Sequence, residues 1–136
     1  MSVTVNDIRE KFEGSSFFSL IGFEVVHYEE ESAVLKLKMK EELLNVNGRL
    51  HGGIHATMLD TALGMVIRSV TKMNVVTTNL NIHYLAGVSG TEIYAEAKIL
   101  QIGYKTAFAE GEIKDADGKV IAKGVGTFKI LRNEDK

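Results

Sequence analysis

Residues 32–40 alternate: Ala33, Leu35, Leu37 and Met39 are apolar, with Lys36, Lys38 and Lys40 on the other parity. Side chains of a strand point to opposite faces at each step, so this period of two predicts a strand with one wet face. Residues 53–72 break the pattern. Ile54, Ala56, Met58, Leu59, Ala62, Leu63, Met65, Val66, Ile67 and Val70 form a run too long for a strand, and their directions cover most of a helical wheel. A helix apolar nearly all round is a buried helix, here about 30 Å long.

Period two then returns. Val76, Thr78, Leu80, Ile82 and Tyr84 are expected on one strand face, with Val75, Thr77, Asn79, Asn81 and His83 on the other. Ile93, Ala95, Ala97 and Ile99 mark a second strand, and Ala107, Ala109, Gly111 and Ile113 a third. Val120, Ala122, Phe128 and Ile130 mark the last, with Gly124 and Gly126 permitting bend or close approach. The stretch from Gly87 to Gly90 and the Asp117-Gly118 pair supply turns. Residues 4–12 predict a short helix capped by Thr4, and Ser15 to Leu20 is ambiguous, with a helical turn one reading. Short loops imply antiparallel pairing. The expected class is α+β, an antiparallel sheet wrapped around one long central helix.

The chain has 136 residues, and residues 1–136 are read as one domain. Without cysteine it has no disulfide, no thiolate zinc site and no thiol nucleophile. A net charge of −2 shows no basic excess that would suit nucleic acid or an acidic membrane surface. The N-terminal stretch lacks the pattern of a secretory signal, and no apolar run approaches the ~18 residues of a membrane span. A soluble cytoplasmic protein is expected.

The densest chemistry is Asn45-Val46-Asn47-Gly48-Arg49-Leu50-His51-Gly52-Gly53, which leads directly into the buried helix. A helix start offers free N–H groups and a positive dipole end, which favour an anion or an oxygen becoming one. Asp60 follows, the only acidic residue between Glu42 and Glu92. It is either satisfied by helix neighbours or Arg68, or functional, since a buried carboxylate is costly without a partner. Gly53, Thr57, Asp60 and Gly64 share one helix face. Gly52 and Asp60 are separated by about 12 Å along the axis, so both can act on one small group only if the Asp comes from a second subunit. The strand carrying Asn79 and Asn81 presents an uncharged polar face that reads as an interface or a site. His51 and His55 lie at metal-ligand spacing, but the pattern lacks the glutamate of a His-Glu-x-x-His site, and no metal is expected.

These residues resemble the hotdog-fold acyl-CoA thioesterases of the 4-hydroxybenzoyl-CoA thioesterase superfamily, in particular the group of the phenylacetate-pathway enzymes. The pattern is Asn45, Gly48, His51, Gly52, Gly53 and Asp60, followed by Thr77, Leu80, Tyr84 and Leu85. The resemblance implies a hotdog fold, a homodimer or dimer of dimers, and no cofactor. It implies that the Gly52 N–H polarises a thioester carbonyl with help from Asn45. Asp60 of the facing subunit would be general base or nucleophile, Thr77 would hold the attacking water, and His51 would orient the loop or contact the thioester. Gly53, Leu59, Leu63 and Asn79 are candidates for substrate binding, with Met58, Phe17 and Phe18 as further pocket candidates. The glycine-plus-basic stretch of the family reads Gly103-Tyr104-Lys105 here. Lys105, Arg49 and Lys123 are therefore the candidates for contacting CoA phosphates. The leading function is hydrolysis of an acyl- or aryl-CoA. An acyl-CoA-binding sensor and a hotdog dehydratase or hydratase are the alternatives.

Overall fold

A computed structural model describes residues 2–132. Helix α1 spans Val5–Glu13 and α2 spans Ser16–Ile21. Thr4 and Asp7 form a reciprocal capping box on α1, each side chain accepting the other's backbone N–H at 3.0 Å. The ambiguous stretch after it is helical because both of its ends are satisfied. Ser15 Oγ accepts the Phe18 N–H, and Gly22 closes the helix at φ +100°.

The strands are β1 (Phe23–Glu29), β2 (Ser32–Lys38), β3 (Val75–Tyr84), β4 (Glu92–Ile102), β5 (Thr106–Asp115) and β6 (Val120–Ile130), and the long helix α3 is Gly52–Thr71. They form one antiparallel sheet in the order β1-β2-β4-β5-β6-β3. Its inner face wraps α3, giving the α+β hotdog arrangement that the periodicity and the resemblance imply. Met58, Leu59, Ala62, Leu63, Met65, Val66 and Ile67 of α3 are all fully buried. Each large side chain of that set contributes roughly 1.5–3 kcal/mol by leaving water. Among the described residues, no helix is long and apolar enough to cross a membrane.

The helix lies close to the sheet because the facing strand positions are small. A Cβ at Gly111 would stand 2.9 Å from the Glu96 carbonyl oxygen and 3.1 Å from Leu63. At Gly124 it would meet Leu59 at 3.1 Å. Leu59 and Leu63 thus fill the helix–sheet interface.

Strand β3 departs from its expected faces. A bulge between Thr77 and Asn79 adds one residue opposite β6, which reverses the parity of everything after it. Val75 and Thr77 therefore turn inward ahead of the bulge, and Leu80 and Ile82 after it. Val76, expected with Leu80, is 48% exposed, and Asn79, Asn81 and His83 also lie exposed. In β6 a register shift opposite Ile113 and Lys114 buries Ile121 beside Ala122, while Val120 is only half-buried.

The tight contact at Gly111 has a measurable consequence. Gly111→Ala places a methyl against backbone rather than a yielding side chain, and should cost about 1–3 kcal/mol in a denaturant titration. An unchanged unfolding midpoint would contradict the close approach.

Candidate active site

The loop before α3 is organised by Asn45. Its Oδ1 accepts the N–H groups of Asn47 at 2.9 Å and Arg49 at 3.1 Å. Its backbone N–H donates to the Arg49 carbonyl, and Gly48 turns the chain at φ +73°. With the side-chain oxygen committed, the Nδ2 amide of Asn45 makes no hydrogen bond to any described residue. A short-range side-chain-to-backbone bond of this kind fixes a turn without help from tertiary packing.

His51 is the N-cap of α3. Its Nδ1 accepts the Gly53 N–H at 2.8 Å, so the neutral ring carries its proton on Nε2. His51 is therefore a positioning residue for the helix start. The Gly52 N–H has no acceptor among the described residues. Capping thus uses the second amide and leaves the first available.

Two aromatic groups stand at the helix start: Tyr84, which the sequence offered only as part of the family pattern, and His55, which it offered only at metal-ligand spacing. Tyr84 donates its hydroxyl to the Gly52 carbonyl at 2.9 Å, and a Cβ on Gly52 would meet that ring at 3.5–3.6 Å. His55 stands edge-on to Tyr84 with ring centres 5.3 Å apart. His55 Nδ1 bonds the His51 carbonyl at 3.3 Å. Burial pushes the His55 pKa below its ordinary value, with the bond to His51 opposing in part. The sequence signals were present: Tyr84 ends the strand that returns to the helix start, and His55 lies one turn beyond the cap.

Asp60 is half-buried, and its partner is Thr77 rather than Arg68. Thr77 Oγ1 donates to Asp60 Oδ1 at 2.5 Å. Arg68 instead donates to Asn74 Oδ1 at 2.7 Å and reaches the Val75 carbonyl at 3.5 Å. The β3 bulge makes the Thr77 contact possible, because it lets Thr77 face α3 while the following asparagines face away. One turn earlier, Thr57 bonds the Gly53 carbonyl at 2.8 Å.

The candidate residues form two groups. Asn45, His51, Gly52 and Gly53 gather at the helix start, and Asp60 and Thr77 two turns along. Helix α3 is continuous between them, so about 12 Å of rise separates the groups. The remaining candidates lie apart from both. Asn79 is exposed and accepts from Asn81 at 2.9 Å. Leu59 and Leu63 are buried against the sheet. Lys105 follows β4, its carbonyl bonded to the Ile130 N–H.

The pattern of the Thioesterase superfamily matches residues 47–122 of the chain, a segment that contains the helix start, Asp60 and Thr77. The chain belongs to the thioesterase superfamily. A Saccharolobus solfataricus protein that carries an esterase name is 33% identical over 136 residues, covering 98% of this chain and 97% of its own. Acyl-coenzyme A thioesterase 13 of Mus musculus is 33% identical over 97 residues, or 69% of each chain. The crystal structure of zebra fish thioesterase superfamily member 2 superposes with a TM-score of 0.84 at 28% identity, covering 96% of this chain and 100% of that one.

The buried imidazole at the helix start gives a pH dependence. Unfolded, His55 takes its proton near 6.5; folded, it does so only at lower pH. Between those two values the unfolded chain binds more protons, so stability falls as the pH drops through that window and levels off below it. Unfolding midpoints measured across the window should show this slope in the wild type and less of it in His55→Gln. Equal slopes would contradict the buried, neutral assignment.

Proposed function

We propose that the protein hydrolyses the thioester of an acyl- or aryl-CoA to the free acid and coenzyme A, at a site shared by two protomers. The observation that carries this reading is the pairing on one rigid helix of an unbonded Gly52 N–H with a Thr77-held carboxylate that the same chain cannot bring to it. An antiparallel pair of α3 helices would place each Gly52 beside the other chain's Asp60. Strand β3 supports such a pairing. It is an edge strand of 10 residues with no lysine, arginine or acidic side chain to block a second edge. The acyl-CoA substrate class is supported by the name of the mouse relative.

In this mechanism the thioester oxygen accepts from the Gly52 N–H and from Asn45 Nδ2. Those donors point where negative charge develops, at the positive end of α3. Asp60 of the facing subunit takes a proton from water as the water oxygen attacks the carbonyl carbon. Thr77 donates to Asp60 and so presents its own oxygen lone pairs to that water. Collapse of the tetrahedral intermediate breaks the C–S bond, and the proton held on Asp60 passes to the departing thiolate. His51 acts through the loop, by holding Gly53 so that Gly52 stays free.

The test is release of free thiol from a panel of CoA thioesters, read with a thiol dye. The cysteine-free chain adds no background. Asp60→Asn should lower kcat by at least ~100-fold. Thr77→Val should lower it by about tenfold or more, and Thr77→Ser should restore most of it. Undiminished turnover in Asp60→Asn, or no thiol release from any ester, would overturn the reading. Sedimentation should give a mass of at least two chains, and a lone protomer would contradict the shared site.

A further inference from the structure

Two pockets of different chemistry flank the loop that ends at Gly52. One, of about 530 Å³, runs from Asn45 and Gly52 past His55 and Tyr84 to Gly87 and Arg49. Arg49 is its only residue with a full charge. The other, of about 320 Å³, lies beside Gly53 and Thr57 and is walled by Phe17, Ile21, Leu44 and Ile54. Glu42 is its only residue with a full charge. Both volumes are in the range of small-molecule sites, roughly 300–1,000 Å³.

We propose that these pockets sort the two arms of the thioester. The phosphate-bearing arm lies along the Arg49 pocket, and the acyl group enters the apolar pocket under Glu42. The proposal rests on the carbonyl being held at Gly52 and adds the direction in which each arm leaves. Charge decides that direction. The Arg49 guanidinium makes no hydrogen bond or ion pair with any described residue. It rests on the backbone at Gly87, where a Cβ would stand 3.4 Å from Nη1. A guanidinium without a counter-ion is a ready phosphate partner. A phosphate in the other pocket would face the Glu42 carboxylate, with no lysine or arginine among the described residues that line it.

The other two cations are placed differently. Lys123 is paired with Glu112 at 3.3 Å on the sheet. Lys105 bonds Ile130, which pairs with Val75 at the start of β3, whereas Tyr84 at the end of β3 covers Gly52. The length of β3, roughly 30 Å, therefore separates Lys105 from Gly52 of the same chain.

The same charge pattern defines the acyl group. The pocket accepts a hydrophobic acyl or aryl chain and repels one that ends in a second carboxylate, because Glu42 stands at its wall. The substrate class is thus the CoA ester of a hydrophobic monocarboxylic acid.

The experiment compares kcat/KM for a hexanoyl ester of CoA with that of pantetheine, which lacks the phosphates. Arg49→Gln should reduce the CoA-to-pantetheine ratio about tenfold, and Lys123→Gln should not move it. Wild type should prefer hexanoyl-CoA to adipoyl-CoA, and Glu42→Gln should narrow that preference several-fold. A ratio unmoved by Arg49→Gln, or a preference unmoved by Glu42→Gln, overturns the sorting even while hydrolysis stands. If no ester turns over, the hydrolytic reading fails, and calorimetry with CoA and pantetheine decides the phosphate arm. CoA binding that exceeds pantetheine binding and weakens in Arg49→Gln supports it, and equal binding overturns it.

Discussion

An α-helix rises 1.5 Å per residue and does not shorten, so two groups eight residues apart on α3 cannot meet over one small reacting centre. The rest of the site follows from that rigidity. The sheet grips α3 through Leu59 and Leu63, which press into strand positions held to glycine at 111, 124 and 126. That packing fixes where α3, and with it Asp60, stands relative to Thr77 on β3. It also leaves the Gly53–Thr57–Asp60 side of the helix only partly covered by its own chain. A carboxylate there, bonded only to Thr77 among the described residues, is what the proposed shared site requires.

The helix start shows how a small set of residues frees two donors while the groups around them stay bonded. His51 takes the Gly53 amide, and Tyr84 takes the Gly52 carbonyl. The oxygen of Asn45 takes two loop amides. What remains unbonded is one backbone N–H and one side-chain amide, both donors, on two residues that line one pocket at the start of α3. Hydrogen bonds within the loop and one from Tyr84 on β3 hold the arrangement, so it exists before any substrate arrives. Preorganised donors of this kind stabilise developing charge without reorganising at the moment of reaction.

Much of the fold was legible because its signals are local. The all-round apolarity of residues 53–72 and the alternation at residues 32–40 need no knowledge of neighbours. The spacing from Asn45 to Asp60 likewise survives as a pattern. The bulge in β3 did not show, since Thr77-Thr78-Asn79 reads equally well in either parity, and only pairing with β6 reveals the extra residue. For the same reason Thr77 and Asn79 appeared to share a face although only Thr77 turns toward Asp60. Leu59 and Leu63 were open to a pocket reading because a helix apolar on every side does not say which side meets the sheet. The roles of Tyr84 and His55 depend on a contact between β3 and the helix start, more than 25 residues apart in sequence.

The most direct test of a shared site mixes two inactive variants. Asp60→Asn removes the carboxylate, and Asn45→Asp keeps the loop-forming oxygen but replaces the free amide with a second oxygen. After joint unfolding and refolding, half of the dimers carry one chain of each kind, and each of these has one intact site of its two. A shared site therefore returns about a quarter of wild-type activity from two inactive parents. No recovery, from a mixture shown to contain mixed dimers, would mean that Asp60 and Asn45 act within the same chain or not at all.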